Sequence, residues 1–262
     1  MKKLFSTVLI SAILCLTAFC LFACNTPDNT PDNTDNTPDN QENFVDYSKD
    51  NTFEFEVTED ADAVTYTPVG ATAKYGLLFY VGTVIPPQSY AYLAEPLAKQ
   101  GYVVVISKLL FAYIQYKETE TTFEKYPNIE FFIGGHSQGG GAAVKRTQEN
   151  IDSVKGIILY APLCFAPDTI ADASVPTLLI EATKDGVLNY TQKEDAKSRL
   201  PKNRTEYKIN GCHMSFSSLD NDAMLSPFND GPVTDEERAT QKEMTCAYTL
   251  AFMKSVVFDT NN

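Results

Sequence analysis

The stretch NIEFFIGGHSQGGG (Asn128–Gly141) allows few folds. A run rich in β-forming residues ends on a serine enclosed by five glycines, and QGGGAAVKRTQEN continues with a helical pattern. The expected local structure is a strand, a sharp turn and a helix. Within it, Gly135-His136-Ser137-Gln138-Gly139 has the spacing G-x-S-x-G. A serine at such a turn takes φ > 0, and its neighbours are glycine because a Cβ there would clash with adjacent backbone. The strain lifts the hydroxyl above the sheet edge, and the following helix points free N–H groups at the space over it. A negative oxygen forming on an attacked carbonyl would meet donors already in place. A phosphate cradle and a purely structural turn are the competing readings. No Gly-Lys-Ser/Thr follows, and the G-x-G-x-x-G spacing is poorly matched, so a nucleophile is favoured.

A serine hydroxyl reacts only when a base removes its proton. The chain has two histidines. His136 adjoins Ser137, and the tight turn is expected to point it away from the hydroxyl. His213, in INGCHMSF beyond the last predicted strand, is the expected base. The base needs a carboxylate to set its tautomer and stabilise its charged form. Asp185, in LLIEATKDGV, stands just past the predicted strand Thr177–Ala182, where open α/β sheets gather their sites. Asp168, in the loop after IILYAP, is the rival acid. The oxyanion donors are expected to be the Gln138 amide and, from the VGTVIPP loop after strand Tyr75–Val81, the Thr83 amide.

The rest of the chain supplies a frame for this turn. TFEFEV and AVTYTPV alternate as antiparallel entry strands, and YGLLFYVG is a continuous apolar run suited to a strand covered on both faces. SYAYLAEPLAKQG is a helix stopped by Gly101 and interrupted by Pro96, which is expected to kink it at a cost of about 3 kcal/mol. YVVVIS, KGIILYA, PTLLIEA and TEYKIN are further strands, with a less regular helical region over 108–126 and a helix at YTQKEDAKSRL. A long last helix starts near Thr234 on a Thr234/Glu237 capping box, with Met244, Ala247, Tyr248, Ala251 and Phe252 as its expected buried stripe. Strands alternating with helices predict an α/β fold, a mostly parallel twisted sheet with helices on both faces, in one catalytic domain over 51–262.

The N-terminus reads differently. Lys2 and Lys3 precede an uncharged apolar run from Leu4 to Ala23, the pattern of a secretory signal over 1–23. Its end, Leu21-Phe22-Ala23-Cys24, resembles a bacterial lipobox, which implies lipidation of Cys24. An uncleaved membrane anchor is the alternative, since the run is about long enough to span. Either reading places the domain outside the cytoplasm on a bacterial cell membrane. The repeats of Thr-Pro-Asp-Asn that follow have no apolar residue to bury, so 24–50 is expected to be a disordered linker. Cys164, Cys212 and Cys246 remain in the domain, more in keeping with buried free thiols than with a disulfide framework. The net charge of −13 argues against nucleic acid. Two histidines at unrelated positions make a poor metal site, and no metal or organic cofactor is expected.

Taken together, LLFYVGTVIPPQSYAYLAEPLAKQGYVVVISK, FFIGGHSQGG, LLIEATKDG, INGCHMSF and NDGPVTDEERATQKEMTCAYTLAFM make the chain similar to the α/β-hydrolase superfamily over roughly Tyr75–Phe258. The likeness is strongest to the small, cap-less branch that includes dienelactone-hydrolase-like proteins, although those proper carry cysteine where this chain has Ser137. The order Ser137, Asp185, His213 is that of the superfamily. The resemblance implies an α/β-hydrolase fold, those three residues as a triad, Thr83 and Gln138 as the oxyanion hole, and no substantial lid. The expected activity is hydrolysis of a carboxylic ester or related acyl bond in a small-molecule substrate. Acyl transfer to another acceptor, or binding without catalysis, are the alternatives. Pocket walls are expected from Phe111–Tyr116, around Phe165 and between Ser215 and Phe228.

Overall fold

The computed structural model describes residues 44–219 and 230–259. The expected signal, Cys24 and most of the expected linker lie outside them. The strands are β1 (Phe55–Glu59), β2 (Ala63–Pro68), β3 (Tyr75–Tyr80), β4 (Val103–Ser107), β5 (Glu130–His136), β6 (Gly156–Tyr160), β7 (Thr177–Ala182) and β8 (Thr205–Ile209). The helices are α1 (Ala91–Lys99), α2 (Ala112–Gln115), α3 (Glu120–Lys125), α4 (Gln138–Glu149), α5 (Tyr190–Ser198) and α6 (Asp235–Asp259). The strands form one sheet in the order β1-β2-β4-β3-β5-β6-β7-β8. β1–β2 and β2–β4 pair antiparallel, and every other pair is parallel.

The continuous apolar runs are explained by burial on both faces. Along β3, Leu77 and Phe79 enter one core cluster, whereas Leu78 and Tyr80 enter the other. Along β6, Ile158 and Tyr160 separate from Ile157 and Leu159 in the same way. Leu93 and Leu97 of α1 and Met253 and Val257 of α6 cover the first face. Ala142, Ala143 and Val144 of α4, with Ala196 of α5, cover the second. Successive residues of a strand point to opposite faces, so a strand wrapped by helices needs no polar side.

Two sequence expectations change here. The folded region reaches back to Phe44 rather than beginning at Asn51. Val45 and Tyr47 are buried, and the Tyr47 hydroxyl donates to the Gly101 carbonyl at 2.9 Å while its ring packs against Tyr75 and Tyr102. These apolar side chains end the polar linker before residue 50. The second change concerns α6. Its capping box forms as expected, with Thr234 N donating to Glu237 Oε2 at 2.9 Å and Glu237 N to Thr234 Oγ1 at 3.2 Å. Its buried stripe, however, runs through Gln241, Thr245, Thr249, Phe252, Met253 and Val256, and Ala247 and Ala251 are exposed. Thr245 and Thr249 donate to the carbonyls one turn back, at 2.7 and 2.8 Å, so their hydroxyls are buried already satisfied. Of the expected stripe Phe252 is buried and Met244 and Tyr248 pack partly buried against the core, so ranking by hydropathy alone set the face partly off. As the sequence predicts, α1 carries Pro96 inside it, and the Pro96 carbonyl accepts from Gln100 N at 3.2 Å.

The strand order positions the site. The parallel part of the sheet begins at β3, adds β4 on one side and then returns to place β5 on the other. The loops after β3 and β5 leave adjacent strands in opposite senses, and a crevice opens between them.

Candidate active site

Ser137 sits at that crevice with φ 55° and ψ −123°, the backbone expected for it. Its amide donates to Tyr160 O of β6 at 3.0 Å, and its carbonyl accepts from Gly140 N at 2.9 Å and Leu163 N at 2.8 Å. The turn is thus held by both neighbouring segments. A Cβ on Gly139 would collide with the carbonyl oxygens of Tyr80 and Val81, so the first turn of α4 lies directly against the end of β3. Glycine is required there by close approach rather than by dihedral freedom. The Ser137 hydroxyl has no hydrogen-bond partner among the described residues.

Asp185 and His213 meet across the loops after β7 and β8. The two side chains are each 1% exposed, and Asp185 Oδ2 lies 3.0 Å from His213 Nδ1. Asp185 Oδ1 accepts from the Val187 and Leu188 amides at 2.9 and 3.0 Å. Burial is the largest influence on this carboxyl and works to raise its pKa. The hydrogen bond and charge of His213, then the Leu188 amide and Lys193, outweigh it and hold the group below the ordinary carboxylate value. An ionised carboxylate only accepts, so His213 Nδ1 is the donor, which in the neutral ring leaves the lone pair on Nε2. That Nε2 is buried without a protein partner. Asp168 is elsewhere: its Oδ2 accepts from Tyr113 OH at 2.5 Å.

The Thr83 and Gln138 amides donate to no protein acceptor among the described residues, and their side chains are joined by Thr83 Oγ1 donating to Gln138 Oε1 at 3.0 Å. Register explains their proximity: β3 and β5 pair in parallel with Tyr80 opposite Gly135, so the residues just beyond each end side by side.

His136 is fully buried beneath the site, its ring 4.8 Å from that of His213. Tyr90 OH lies 2.9 Å from its Nδ1 and accepts from Gly82 N at 3.0 Å. The histidine thereby braces the loop that carries Thr83. Burial, and then the charge of His213, push the His136 pKa well below its ordinary 6.5. The sign for stability follows. Below 6.5 the unfolded chain takes up a proton that the folded protein refuses, so this contribution is present above 6.5 and is lost as pH falls. The loss grows as pH falls from about 7 to about 5. Asp185, held below 3.8, loses its own contribution only at lower pH. Urea-unfolding midpoints of wild type and His136→Gln across this range check the point, since equal pH dependence in both would exclude it.

A cavity of about 250 Å³ opens over these groups, and Ser137, His213, Thr83 and Gln138 line it. Its apolar walls are Ile85, Leu163, Val187, Leu188 and Met214. Apart from the two histidines, no ionisable side chain lines it among the described residues. The walls expected from Phe111–Tyr116 are not part of it, and from the region around Phe165 Leu163 lines it while Phe165 does not. Tyr113 packs on Phe165 at 4.4 Å between centroids, and Phe111 and Ile114 face outward. Residue adjacency to a strand end does not give side-chain direction, which is why these aromatics misled. Of the stretch Ser215–Phe228, Ser215 is buried against Cys212, and 220–229 lie outside the described residues. Cys164, Cys212 and Cys246 are free thiols. Among the described residues no cluster of His, Cys, Asp and Glu could hold a metal ion.

An eight-stranded, mostly parallel sheet with a strained serine at the end of β5, and a histidine–carboxylate pair on later loops, defines a hydrolase scaffold. The chain belongs to the alpha/beta hydrolase family, whose model matches residues 76–222. A similar solved structure is that of a predicted CIB-like hydrolase from Thermoplasma acidophilum, with a TM-score of 0.56 and 16% identity over 78% of this chain and 98% of that one. At that identity the likeness concerns the fold. No curated protein matches the sequence.

Proposed function

We propose that this protein is a serine hydrolase that cleaves a carboxylic ester through Ser137, His213 and Asp185. The observation that carries the reading is the His213 ring, which is bonded to Asp185 at 3.0 Å through Nδ1, keeps Nε2 without a protein partner, and lines the same cavity as Ser137. Nε2 takes the Ser137 proton as Oγ bonds to the ester carbonyl carbon, and the carbonyl π electrons move onto oxygen. The Thr83 and Gln138 amides bind this oxyanion; removing one such donor typically costs about 10²- to 10³-fold in rate. Collapse of the tetrahedral intermediate breaks the bond to the leaving oxygen, which takes the proton from Nε2 and departs as alcohol. Water, deprotonated by His213, then attacks the acyl-serine, and the acid leaves with Ser137 restored. The apolar walls and the absence of a lining cation among the described residues support an uncharged ester with a small apolar acyl group, because a substrate carboxylate would be desolvated without a partner.

The Lys2/Lys3 start, the apolar run and Cys24 support export and tethering of the enzyme to the outer side of the cell membrane by a lipid. One experiment addresses both parts. A fluorophosphonate probe applied to fractionated cells is expected to label Ser137 in the membrane fraction, and in the soluble fraction when Cys24→Ser is expressed. A folded protein that resists the probe would defeat the catalytic reading; labelled Cys24→Ser that stays on the membrane would defeat the lipid anchor.

A further inference from the structure

Asp230 is absent from the chemistry above, yet it makes a denser set of backbone contacts than any other carboxylate near the site. Its Oδ1 accepts from Gly186 N at 3.1 Å, from His213 N at 3.1 Å and from Gly231 N at 3.0 Å. Its Oδ2 accepts from Met214 N at 2.7 Å. Gly186 directly follows Asp185, and Met214 directly follows His213. One carboxylate therefore grips the backbone beside the acid and at the base itself.

These two loops have few other ties. Lys184 N donates to Gly211 O at 2.8 Å, and Gln241 of α6 clamps Cys212, accepting from its amide at 3.0 Å and donating to its carbonyl at 2.9 Å. Both contacts act before His213. After Asp185, only Asp230 connects the acid loop to the histidine loop by backbone hydrogen bonds among the described residues. Loops move more than the strands they join, and a displacement near 1 Å at a reacting group can cost about 10²-fold in rate. Hydrogen bonds from N–H to a charged acceptor are about twice as strong as neutral ones.

We infer that Asp230 is a positioning residue that sets the separation of Asp185 and His213 by binding the Gly186, His213 and Met214 amides. It touches neither substrate nor a reacting atom in the scheme above. The inference deepens the proposed serine-hydrolase reading and rests on it for its kinetic arm, but its structural arm stands alone. Asp230→Ala leaves those amides without their acceptor. Asp230→Asn keeps one acceptor oxygen and loses the other.

The test measures two things on the full chain. The first is p-nitrophenyl butyrate turnover, in which Asp230→Ala is expected to lower kcat by about 10- to 100-fold with KM changed by less than about twofold. Asp230→Asn is expected to lose less. The second is the low-field proton NMR signal of the imidazole N–H held between His213 and Asp185, expected in wild type, absent in the control Asp185→Asn, and broadened or lost in Asp230→Ala. A merely structural role would lower the thermal midpoint while leaving that signal and kcat in place at temperatures where the protein is folded, and this result overturns the inference. If Asp230→Ala does not fold, Asp230→Asn decides by the same two readouts. If wild type shows no turnover, the serine-hydrolase reading fails, and the NMR comparison still decides the role of Asp230.

Discussion

Ser137→Ala is expected to abolish ester turnover, lowering kcat by on the order of 10⁴- to 10⁶-fold, while the protein stays folded and binds substrate with little change. The size follows from the mechanism: without Oγ no acyl-enzyme forms, and only the oxyanion donors and binding remain. The fold should survive because alanine and serine meet the same backbone restriction at φ 55° and ψ −123°, which comes from Cβ. By the same argument Ser137→Gly is expected to be inactive and more stable than Ser137→Ala, by roughly 1 kcal/mol, since glycine relieves the strain. Initial rates with p-nitrophenyl butyrate and urea-unfolding curves for the three proteins check both halves. Residual activity within about tenfold of wild type in Ser137→Ala would remove Ser137 from the chemistry. A Ser137→Gly no more stable than Ser137→Ala would remove the strain argument.

Gly139→Ala is expected to produce a large loss of stability, about 3 kcal/mol or more. The added Cβ would meet main-chain carbonyls of Tyr80 and Val81 rather than side chains that can rotate away. β3 is paired on both sides, with β4 and β5, so its backbone cannot retreat without breaking the ladder. The helix would have to move instead, and it carries the Gln138 amide. Activity should therefore fall with stability. Gly156→Ala is the comparison: its Cβ would meet ring carbons of Phe132 at 3.0 Å, a side chain able to give by a few tenths of an ångström. Equal unfolding free energies for wild type and Gly139→Ala would show that the contact is not as close as the geometry requires.

Much of this architecture was legible from local pattern. The elbow could be read because strand, glycine turn and helix are each short-range preferences, and because a positive φ at Ser137 demands particular neighbours. The Thr234/Glu237 box was legible for the same reason. The face of α6 was not, since Thr245 and Thr249 look polar until their hydroxyls are seen bonded to carbonyls of their own helix. His136 escaped because adjacency to Ser137 says that it lies on the opposite side of the turn, but not that the space there is the underside of His213. Asp230 escaped altogether. It sits in FNDGPV, a stretch that reads as an ordinary turn, and nothing in its neighbours signals that it accepts from amides at 186, 213 and 214.

The amino-acid order was sufficient for the elements, their alternation, the strained serine and the order of serine, carboxylate and imidazole along the chain. Those depend on interactions over a few residues, where steric and hydrogen-bonding preferences act without reference to the rest of the molecule. The cavity, the burial of His136 and the grip of Asp230 were settled by folding in three dimensions. Each depends on loops distant in sequence arriving together at one end of the sheet, and that arrival is set by how strands pair and helices cover them.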